Sequence, residues 1–392
     1  MPSSFSLFLT ICVLVSTANP VLGSYKSIFS FGDSLADSGN SLYSGQYTPA
    51  AQLPYGETYF HQATGRASDG RLVIDFIAQS IGLPLLPPYL GKNSGKDLQQ
   101  GVNFAVGGAT ALDVSFFDDK QIPYNTKYTL GVQLGWFKNL LPSLCNSSSD
   151  GCRKFFNTSL FVVGEIGGND YNNPFMDGRS LTEVRTFVPK VIDAISSAIK
   201  VLINEGAVAF MVPGNLPIGC STMYLGLYQN SKKADYDDSG CIKWLNDFSI
   251  YHNSLLQKEL DVLRELYPNT NIMYADYYNA AMKFYQSPDS LGFKGGALTA
   301  CCGGGLSRCC DDPSTYVNWD GVHLTEAAYK VIAIALLQDH QQSFPNTCNI
   351  SEASPYKPEA SDGLPPNSAG ASTTFFFIWA FLILSFFRSF YR

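Results

Sequence analysis

Four short apolar runs, each bounded by turn-forming residues, constrain the fold of this 392-residue chain more than any other feature. They cover residues 28–31, 160–164, 207–212 and 272–275. Apolar runs of this length, without polar alternation, are typical of strands that are buried on both faces of a parallel sheet. We therefore predict a strand at each of the four runs.

Longer amphipathic segments lie between and after these runs. The clearest has apolar residues at steps of three and four, a capping-box pattern of Ser180 and Glu183 at its start, and Gly206 at its end. The predicted helices cover residues 181–204, about 242–266 and 324–337. This alternation of strands and helices predicts an α/β fold with a parallel sheet.

Polar residues directly follow two of the predicted strands. Ser34 comes after the first strand, and the segment 164–169 comes after the second. In parallel α/β sheets, ligands bind beyond the carboxyl ends of the strands. We therefore expect these two segments to meet at one edge of the sheet and to form a site there.

Ser34 is a candidate nucleophile, and a serine hydroxyl needs a neighbouring base to act as one. The chain has four histidines, and His323 differs from the others because Asp320 precedes it by three positions, with Gly321 between them. A carboxylate so placed can orient the imidazole through Nδ1 and leave Nε2 for the serine. The alternative is a surface aspartate beside a helix-capping histidine, and this short pattern alone does not decide between them.

Acyl transfer also requires hydrogen-bond donors for an oxyanion. A Gly-Gly turn at 107–108 follows a short apolar stretch, and there a backbone N–H can approach a ligand closely. Asn169 follows the Gly-Gly pair at 167–168, and its side-chain amide is a second candidate donor. Taken singly, each segment is more often a structural loop.

Together, the four segments resemble the GDSL esterases and lipases, the plant branch of the SGNH hydrolases. The resemblance covers about residues 26–345 and rests on four blocks in the family's order. The blocks are Gly32-Asp33-Ser34-Leu35, Gly101-x-Asn103-Phe104-Ala105-x-Gly107-Gly108-Ala109, Gly167-Gly168-Asn169-Asp170 and Asp320-Gly321-Val322-His323.

The resemblance implies a three-layer α/β/α sandwich around a parallel, flavodoxin-like sheet of about five strands. It implies that Ser34 attacks an ester carbonyl, that His323 takes the serine proton, and that Asp320 orients His323. The implied oxyanion donors are the backbone N–H groups of Ser34 and Gly108 and the side chain of Asn169. An acyl-enzyme would form and then be hydrolysed.

Other residues in or near these blocks receive non-catalytic roles. Leu324 departs from the family, since many plant members have proline after the histidine, and we expect only a change in loop stiffness from this. Asp33, Asp37 and Asn40 match the family, and we interpret them as residues that hold the turn.

No metal and no organic cofactor is predicted. His323 and Glu326 have the spacing of a helical ligand pair, but the catalytic role already uses His323. The net charge of −7 and the lack of a Lys/Arg-rich block argue against nucleic acid as a partner.

The amino terminus predicts export. Residues 1–23 contain an apolar run followed by small residues, as a secretory signal does, although no Lys or Arg precedes the run. The alternative is a buried first helix. Three Asn-x-Ser/Thr sequons, at Asn146, Asn157 and Asn349, are consistent with export and are predicted glycosylation sites.

Nine cysteines remain once Cys12 is removed with the signal. In an oxidising compartment they predict disulfides that close loops. Cys145 and Cys152 flank a short polar loop, and Cys220 and Cys241 could bridge a longer one. For the adjacent pairs at 301–302 and 309–310, zinc is an alternative, but adjacent cysteines suit a tetrahedral site poorly. The pairing is not decidable from the sequence, and Cys348 is a candidate for the unpaired one.

The carboxyl terminus departs from a globular pattern. We predict a hydrolase domain at 24–350, a polar Pro- and Ser-rich linker at 351–374 and a hydrophobic tail at 375–392. The apolar run of the tail is shorter than the roughly 20 residues of a membrane-spanning helix. The alternatives are a lipid-anchor attachment signal, which the terminal arginines fit poorly, a tilted single-pass anchor, and an ordinary hydrophobic tail.

The leading functional hypothesis is a secreted esterase of small or specialised plant metabolites, located in the apoplast or vacuole, with the tail as a potential membrane attachment. Segments 55–74 and 276–280 look similar to plant members that act on acetyl or aromatic esters, including alkaloid esters. One alternative is an acyltransferase that uses the same serine and an alcohol acceptor. Another is a catalytically silent binding protein on the same scaffold.

Overall fold

A computed structural model describes residues 25–91, 98–145, 149–229, 232–302 and 309–344. Several sequence predictions lie outside these residues: the signal at 1–23, Asn146, Cys348, Asn349, the linker at 351–374 and the tail at 375–392. In the described part of the chain, every helix is too short or too polar to cross a bilayer.

Five parallel strands form the central sheet in the order β2-β1-β3-β4-β5. They are β1 (Ser27–Phe31), β2 (Gly101–Asn103), β3 (Ser159–Val163), β4 (Ala209–Pro213) and β5 (Asn271–Ala275). This is the strand order of flavodoxin-like folds, and the order reverses between β1 and β3. A separate parallel pair consists of β6 (Gly296–Ala300) and β7 (Tyr316–Asn318). The predicted fold class is confirmed.

Helices cover both faces of the sheet. Their bounds are α1 (Asn40–Tyr43), α2 (Val73–Ser80), α3 (Val114–Lys120), α4 (Leu130–Leu144), α5 (Ser149–Phe156), α6 (Gly168–Met176), α7 (Leu181–Arg185), α8 (Val188–Asn204), α9 (Thr222–Leu227), α10 (Lys243–Leu266), α11 (Tyr277–Gln286) and α12 (Glu326–Asp339). Because side chains alternate along β1, Phe29 and Phe31 enter an apolar cluster with α4, α8 and α10. Ile28 enters a second cluster with α2, α11 and α12. The two clusters make the sandwich three layers thick.

The four predicted strands are present, with one shifted start and one addition. The third predicted strand, which is β4, begins at Ala209 rather than at Ala207. The N–H of Ala207 still donates to the carbonyl of Leu202 at the end of α8. The additional strand, β2, was not predicted because three residues are too few to show a periodic pattern.

The predicted helix over 181–204 is wrong in one respect, since the chain forms two helices there. α7 ends at Arg185, and α8 begins at Val188. Pro189 explains the break: it has no N–H to donate to the carbonyl of Arg185, and its ring crowds that carbonyl. The predicted start was correct, because the Ser180 hydroxyl accepts from the N–H of Glu183 at 3.2 Å.

The last helix begins at Glu326, two residues later than predicted. The hydroxyl of Thr325 accepts from the N–H of Ala328 at 3.2 Å and thereby caps the helix. Leu324 instead forms an antiparallel bridge with Asn318. The residues between them form a closed loop that carries Asp320 and His323.

Four disulfides join cysteines in the described residues. They join Cys145 to Cys152, Cys220 to Cys241, Cys301 to Cys310, and Cys302 to Cys309. The two adjacent pairs are therefore nested disulfides, and the zinc alternative for these four cysteines was wrong.

Candidate active site

A tight turn carries Ser34 beyond the end of β1. The Gly32 N–H donates to Oε1 of Gln133 at 2.9 Å, and Nε2 of Gln133 donates to the Gly32 carbonyl at 2.8 Å. A Cβ at Gly32 would lie 2.8 Å from the backbone carbonyl oxygen of Glu165, so a larger residue does not fit. The buried Gln133 and this close approach fix the turn that presents Ser34.

The loop between β7 and α12 brings His323 to Ser34. The distance from His323 Nε2 to Ser34 Oγ is 2.8 Å, and the distance from His323 Nδ1 to Asp320 Oδ2 is 2.7 Å. With Nδ1–H donating to the carboxylate, Nε2 is left to accept from the serine hydroxyl. The structure therefore brings together the three residues that the sequence singled out.

Neighbouring segments hold this loop in place. The N–H of Trp319 donates to the His323 carbonyl at 2.8 Å and closes the loop. From the start of α9, the Ser221 hydroxyl and the Met223 N–H both donate to the Gly321 carbonyl, at 2.7 and 2.8 Å. These hydrogen bonds fix the backbone of the loop and thereby hold the imidazole of His323 beside Ser34.

The Asp320 carboxylate is saturated with donors. Its Oδ1 accepts the backbone N–H groups of Val322 and His323, each at 2.7 Å. Its Oδ2 accepts from the Tyr55 hydroxyl at 2.8 Å as well as from the imidazole. The buried Tyr55 ring meets Trp319 edge to face, with ring centroids 5.6 Å apart. Tyr55 comes from a distant part of the chain and had no predicted role.

Burial and pairing set opposite pKa shifts on this pair. Burial alone would raise the pKa of Asp320, but the charge and hydrogen bonds of His323 outweigh it and lower that pKa to about 2. Burial would lower the pKa of His323, but the charge and hydrogen bond of Asp320 raise it above the ordinary value. Both pKa shifts mean that the charged pair is favoured, with a carboxylate on Asp320 beside an imidazolium on His323.

The three predicted oxyanion donors differ in their availability. The N–H groups of Ser34 and Gly108 have no acceptor among the described residues. Gly108 has φ +81°, and a Cβ there would lie 2.8 Å from the Asn125 Cβ, so the position requires glycine. Nδ2 of Asn169 donates to Asp33 Oδ2 and to the Ala109 carbonyl, both at 3.0 Å. An oxyanion would therefore replace one acceptor of the Asn169 amide.

Known proteins are similar to this chain over most of its length. The model of the GDSL-like lipase/acylhydrolase family matches residues 28–336, which include Ser34 and His323. The chain belongs to this family. A GDSL esterase/lipase of Arabidopsis thaliana is 49% identical over 356 residues, which cover 86% of this chain and 91% of the relative. Another from Arabidopsis thaliana is 51% identical over 333 residues, or 80% and 82% of the two chains.

A relative with a more specific name is the sinapine esterase of Brassica napus. It is 49% identical over 354 residues, which cover 86% of this chain and 91% of the relative. Membership in the plant GDSL esterase/lipase family makes this chain a carboxylester hydrolase.

In this GDSL hydrolase, the residues that we interpreted as holding the turn make hydrogen bonds within and around it. Asp37 accepts the N–H groups of Gly39, Asn40 and Gly107 and so ties the serine turn to the Gly-Gly turn. The side chain of Asn40 donates to the carbonyls of Asn103 and Ala105, at 2.9 and 2.8 Å. Asp33 accepts the Leu35 N–H at 2.9 Å, and it also contacts Asn169.

A buried group of carboxyls underlies the turn, which the sequence did not predict. Burial raises the pKa of Asp33 to about 6 and that of Asp170 to about 7. Burial, reinforced by the negative charge of Asp33, raises the pKa of Glu165 well above its ordinary value. This raised pKa favours the neutral form of Glu165, whose carboxyl hydrogen-bonds with Asp33.

A cavity of about 620 Å³, including its open mouth, adjoins Ser34. One wall is apolar and includes Leu216, Ile218 and Met223. Asn169 and Glu165 line it near the serine. The GDSL hydrolase thus has an open cleft with an apolar wall beside its serine.

The remaining predicted residues lie away from this cavity. Glu326 does not pair with His323, because its carboxylate accepts from Arg71 Nη2 at 2.7 Å. The described ranges contain no group of three or more His, Cys, Asp or Glu side chains that could hold a metal. Asn157 is exposed just after α5.

Proposed function

We propose that this GDSL hydrolase is a serine esterase in which Ser34 is the nucleophile, His323 the general base and Asp320 the residue that orients His323. The observation that carries the proposal is the pair of short contacts from Ser34 Oγ through the imidazole to the Asp320 carboxylate. A serine without a base in reach has no comparable means of activation.

The reaction has two halves. Ser34 Oγ attacks the ester carbonyl carbon while His323 Nε2 takes the hydroxyl proton, and the imidazolium then gives this proton to the departing alcohol. In the second half, His323 takes a proton from water, the resulting hydroxide attacks the acyl carbon, and the imidazolium returns a proton to Ser34 Oγ. In both halves the oxyanion accepts from the N–H groups of Ser34 and Gly108 and from Asn169.

We propose small or specialised metabolite esters with acetyl or aromatic acyl groups as substrates. The apolar wall of the cavity and the similarity to a sinapine esterase support this class. Transfer of the acyl group to an alcohol uses the same residues, and a new ester formed from an added acceptor alcohol would reveal it.

We also propose export from the cytoplasm, with glycosylation at Asn157 and, outside the described residues, at Asn146 and Asn349. The four disulfides and the exposure of Asn157 support this proposal, since such bonds persist in oxidising compartments. Attachment to a membrane through residues 375–392 remains a prediction from the sequence.

An organophosphate should label Ser34. Phosphorylation of an activated serine oxygen requires a nearby base, and only Ser34 has a described imidazole within hydrogen-bond distance of its hydroxyl. After inhibition, peptide mass mapping should locate the label on the peptide that contains Ser34. Stoichiometric label on a different serine, with loss of activity, would contradict the proposal.

We expect kcat/KM to fall at acidic pH with a midpoint above 6.5, the ordinary value for histidine. His323 must be neutral to accept the serine proton, and its raised pKa means that the neutral form appears only at higher pH. The measurement is kcat/KM for 4-nitrophenyl acetate between about pH 5 and about pH 9.

Tyr55→Phe should move this midpoint to still higher pH. The variant removes a donor from Asp320, so the carboxylate stabilises the imidazolium more strongly. Tyr59→Phe is a control, because Tyr59 also lies in the 55–74 segment and its hydroxyl accepts from Nε2 of Gln79 at 3.0 Å. An unchanged midpoint in Tyr55→Phe would show that Tyr55 only packs against Trp319.

A further inference from the structure

Two buried polar atoms in the wall of the Ser34 cavity have no hydrogen-bond partner among the described residues. They are Oε1 of Glu165 and Nδ2 of Asn215. Both residues line the cavity, and each is only 3% exposed. Glu165 follows β3 and Asn215 follows the adjacent strand β4, so both lie at the carboxyl edge of the sheet.

An unpaired buried polar group destabilises the folded protein. The backbone of Asn215, rather than its side-chain amide, makes the hydrogen bonds that hold its loop. The Asn215 N–H donates to Oδ1 of Asn253 at 2.7 Å, and Nδ2 of Asn253 donates to the Asn215 carbonyl at 3.0 Å. Nδ2 of the Asn215 side chain thus makes no hydrogen bond to the described residues.

The two unpaired atoms have complementary chemistry. Oε1 of Glu165 is an unpaired carboxyl oxygen and therefore an acceptor. Nδ2 of Asn215 is a donor. A hydroxyl group can donate to the first and accept from the second, whereas a methyl group or a hydrogen leaves both unpaired.

We propose that Glu165 and Asn215 form a polar subsite that binds a hydroxyl group on the apolar part of the ester substrate. The substrate class is then esters of hydroxylated aromatic or aliphatic groups, with the hydrocarbon part against Leu216, Ile218 and Met223. Glu165 and Asn215 are specificity-determining residues in this scheme. The inference rests on the proposed function, because it concerns the cavity beside Ser34.

The test compares esters that differ by one hydroxyl. One series is methyl 3-phenylpropanoate and its 2-, 3- and 4-hydroxyphenyl analogues, and the other is benzyl acetate and its three ring-hydroxylated analogues. These series place the hydroxyl on the acyl and the alcohol side, respectively. Acid release at constant pH gives kcat/KM for each ester, and the preference is the ratio of the best hydroxylated ester to its parent.

We expect a preference of about 10-fold or more in the unaltered protein, since a site built to bind a hydroxyl discriminates against the analogue that lacks it. Asn215→Leu should reduce the preference to about 3-fold or less, and Asn215→Ala serves if the leucine variant does not fold. Glu165→Gln should retain the preference, because glutamine keeps an acceptor oxygen and an N–H for Asp33.

Asn173→Leu is the matched control, since Nδ2 of Asn173 is also buried and unpaired but the residue does not line the cavity. This variant should keep the preference. The proposal is overturned if no ring hydroxyl raises kcat/KM in the unaltered protein, or if the preference survives in both Asn215 variants. If only the subsite proposal fails, the protein still turns over 4-nitrophenyl acetate and the organophosphate still labels Ser34. If the proposed function fails, both the turnover and the label on Ser34 are absent.

Discussion

Ser34→Ala should lower kcat/KM for 4-nitrophenyl acetate by about 10³-fold or more. The substitution removes the oxygen that lies 2.8 Å from His323 Nε2, so no acyl-enzyme can form. The backbone N–H of residue 34 remains, and the variant should therefore still bind ester. The measurement is the steady-state rate on protein whose circular dichroism and Tm match those of the unaltered chain.

Ser38→Ala is the matched control for this experiment. Ser38 lies in the same turn, and its buried hydroxyl has no hydrogen-bond partner among the described residues. Its removal should change kcat/KM by less than about twofold. A folded Ser34→Ala variant that keeps its turnover would rule out Ser34 as the nucleophile.

Asp320→Asn should lower kcat by about 10⁴-fold, the largest effect that we expect outside Ser34. Asparagine cannot take the Nδ1–H of His323 with its amide nitrogen, and that nitrogen instead favours a ring with the proton on Nε2. A proton on Nε2 faces the Ser34 oxygen and prevents the imidazole from acting as a base. The stabilisation of the imidazolium by the carboxylate is lost as well.

Asp312→Asn controls for a change of charge near this loop. Asp312 is exposed, and its side chain accepts from the Ser314 N–H at 3.1 Å. We expect its kcat and its pH profile to match those of the unaltered chain. If Asp320→Asn kept more than about a tenth of the activity, a water molecule or another carboxylate would have to orient His323.

Much of the site was predictable because its residues stand in short blocks that local chemistry explains. Ser34 ends an apolar run, Asp320 and His323 stand three positions apart, and Gly108 occupies a conformation that favours glycine. A sequence shows such local constraints directly. Resemblance to a family then placed the blocks together in one site, which local patterns alone could not do.

Contacts between distant segments were not predictable in the same way. Gln133 lies within an ordinary amphipathic helix, and nothing around it indicates that its amide would bracket Gly32. Tyr55 stands in a polar and aromatic loop 265 positions before Asp320. The unpaired atoms of Glu165 and Asn215 are visible only after every neighbour has been placed, because lack of a partner is a property of the packed structure.

Errors in the predicted elements have local causes that the sequence does contain. Pro189 was present in the predicted helix over 181–204, and its effect on the carbonyl four residues earlier accounts for the break. Thr325 is a good capping residue and sets the start of α12. β2 is different, because its three residues, Gly101–Asn103, are too few to show a periodic pattern.

The distance along the chain between Ser34 and His323 has a consequence for biosynthesis. These residues are 289 positions apart, so a ribosome completes the proposed nucleophile long before the proposed base. A nascent or prematurely released polypeptide that stops short of the loop after β7 carries an unactivated serine. If Ser34 and His323 act as proposed, ester cleavage begins only after nearly the entire domain has been synthesised, and truncated products that lack His323 do not cleave esters.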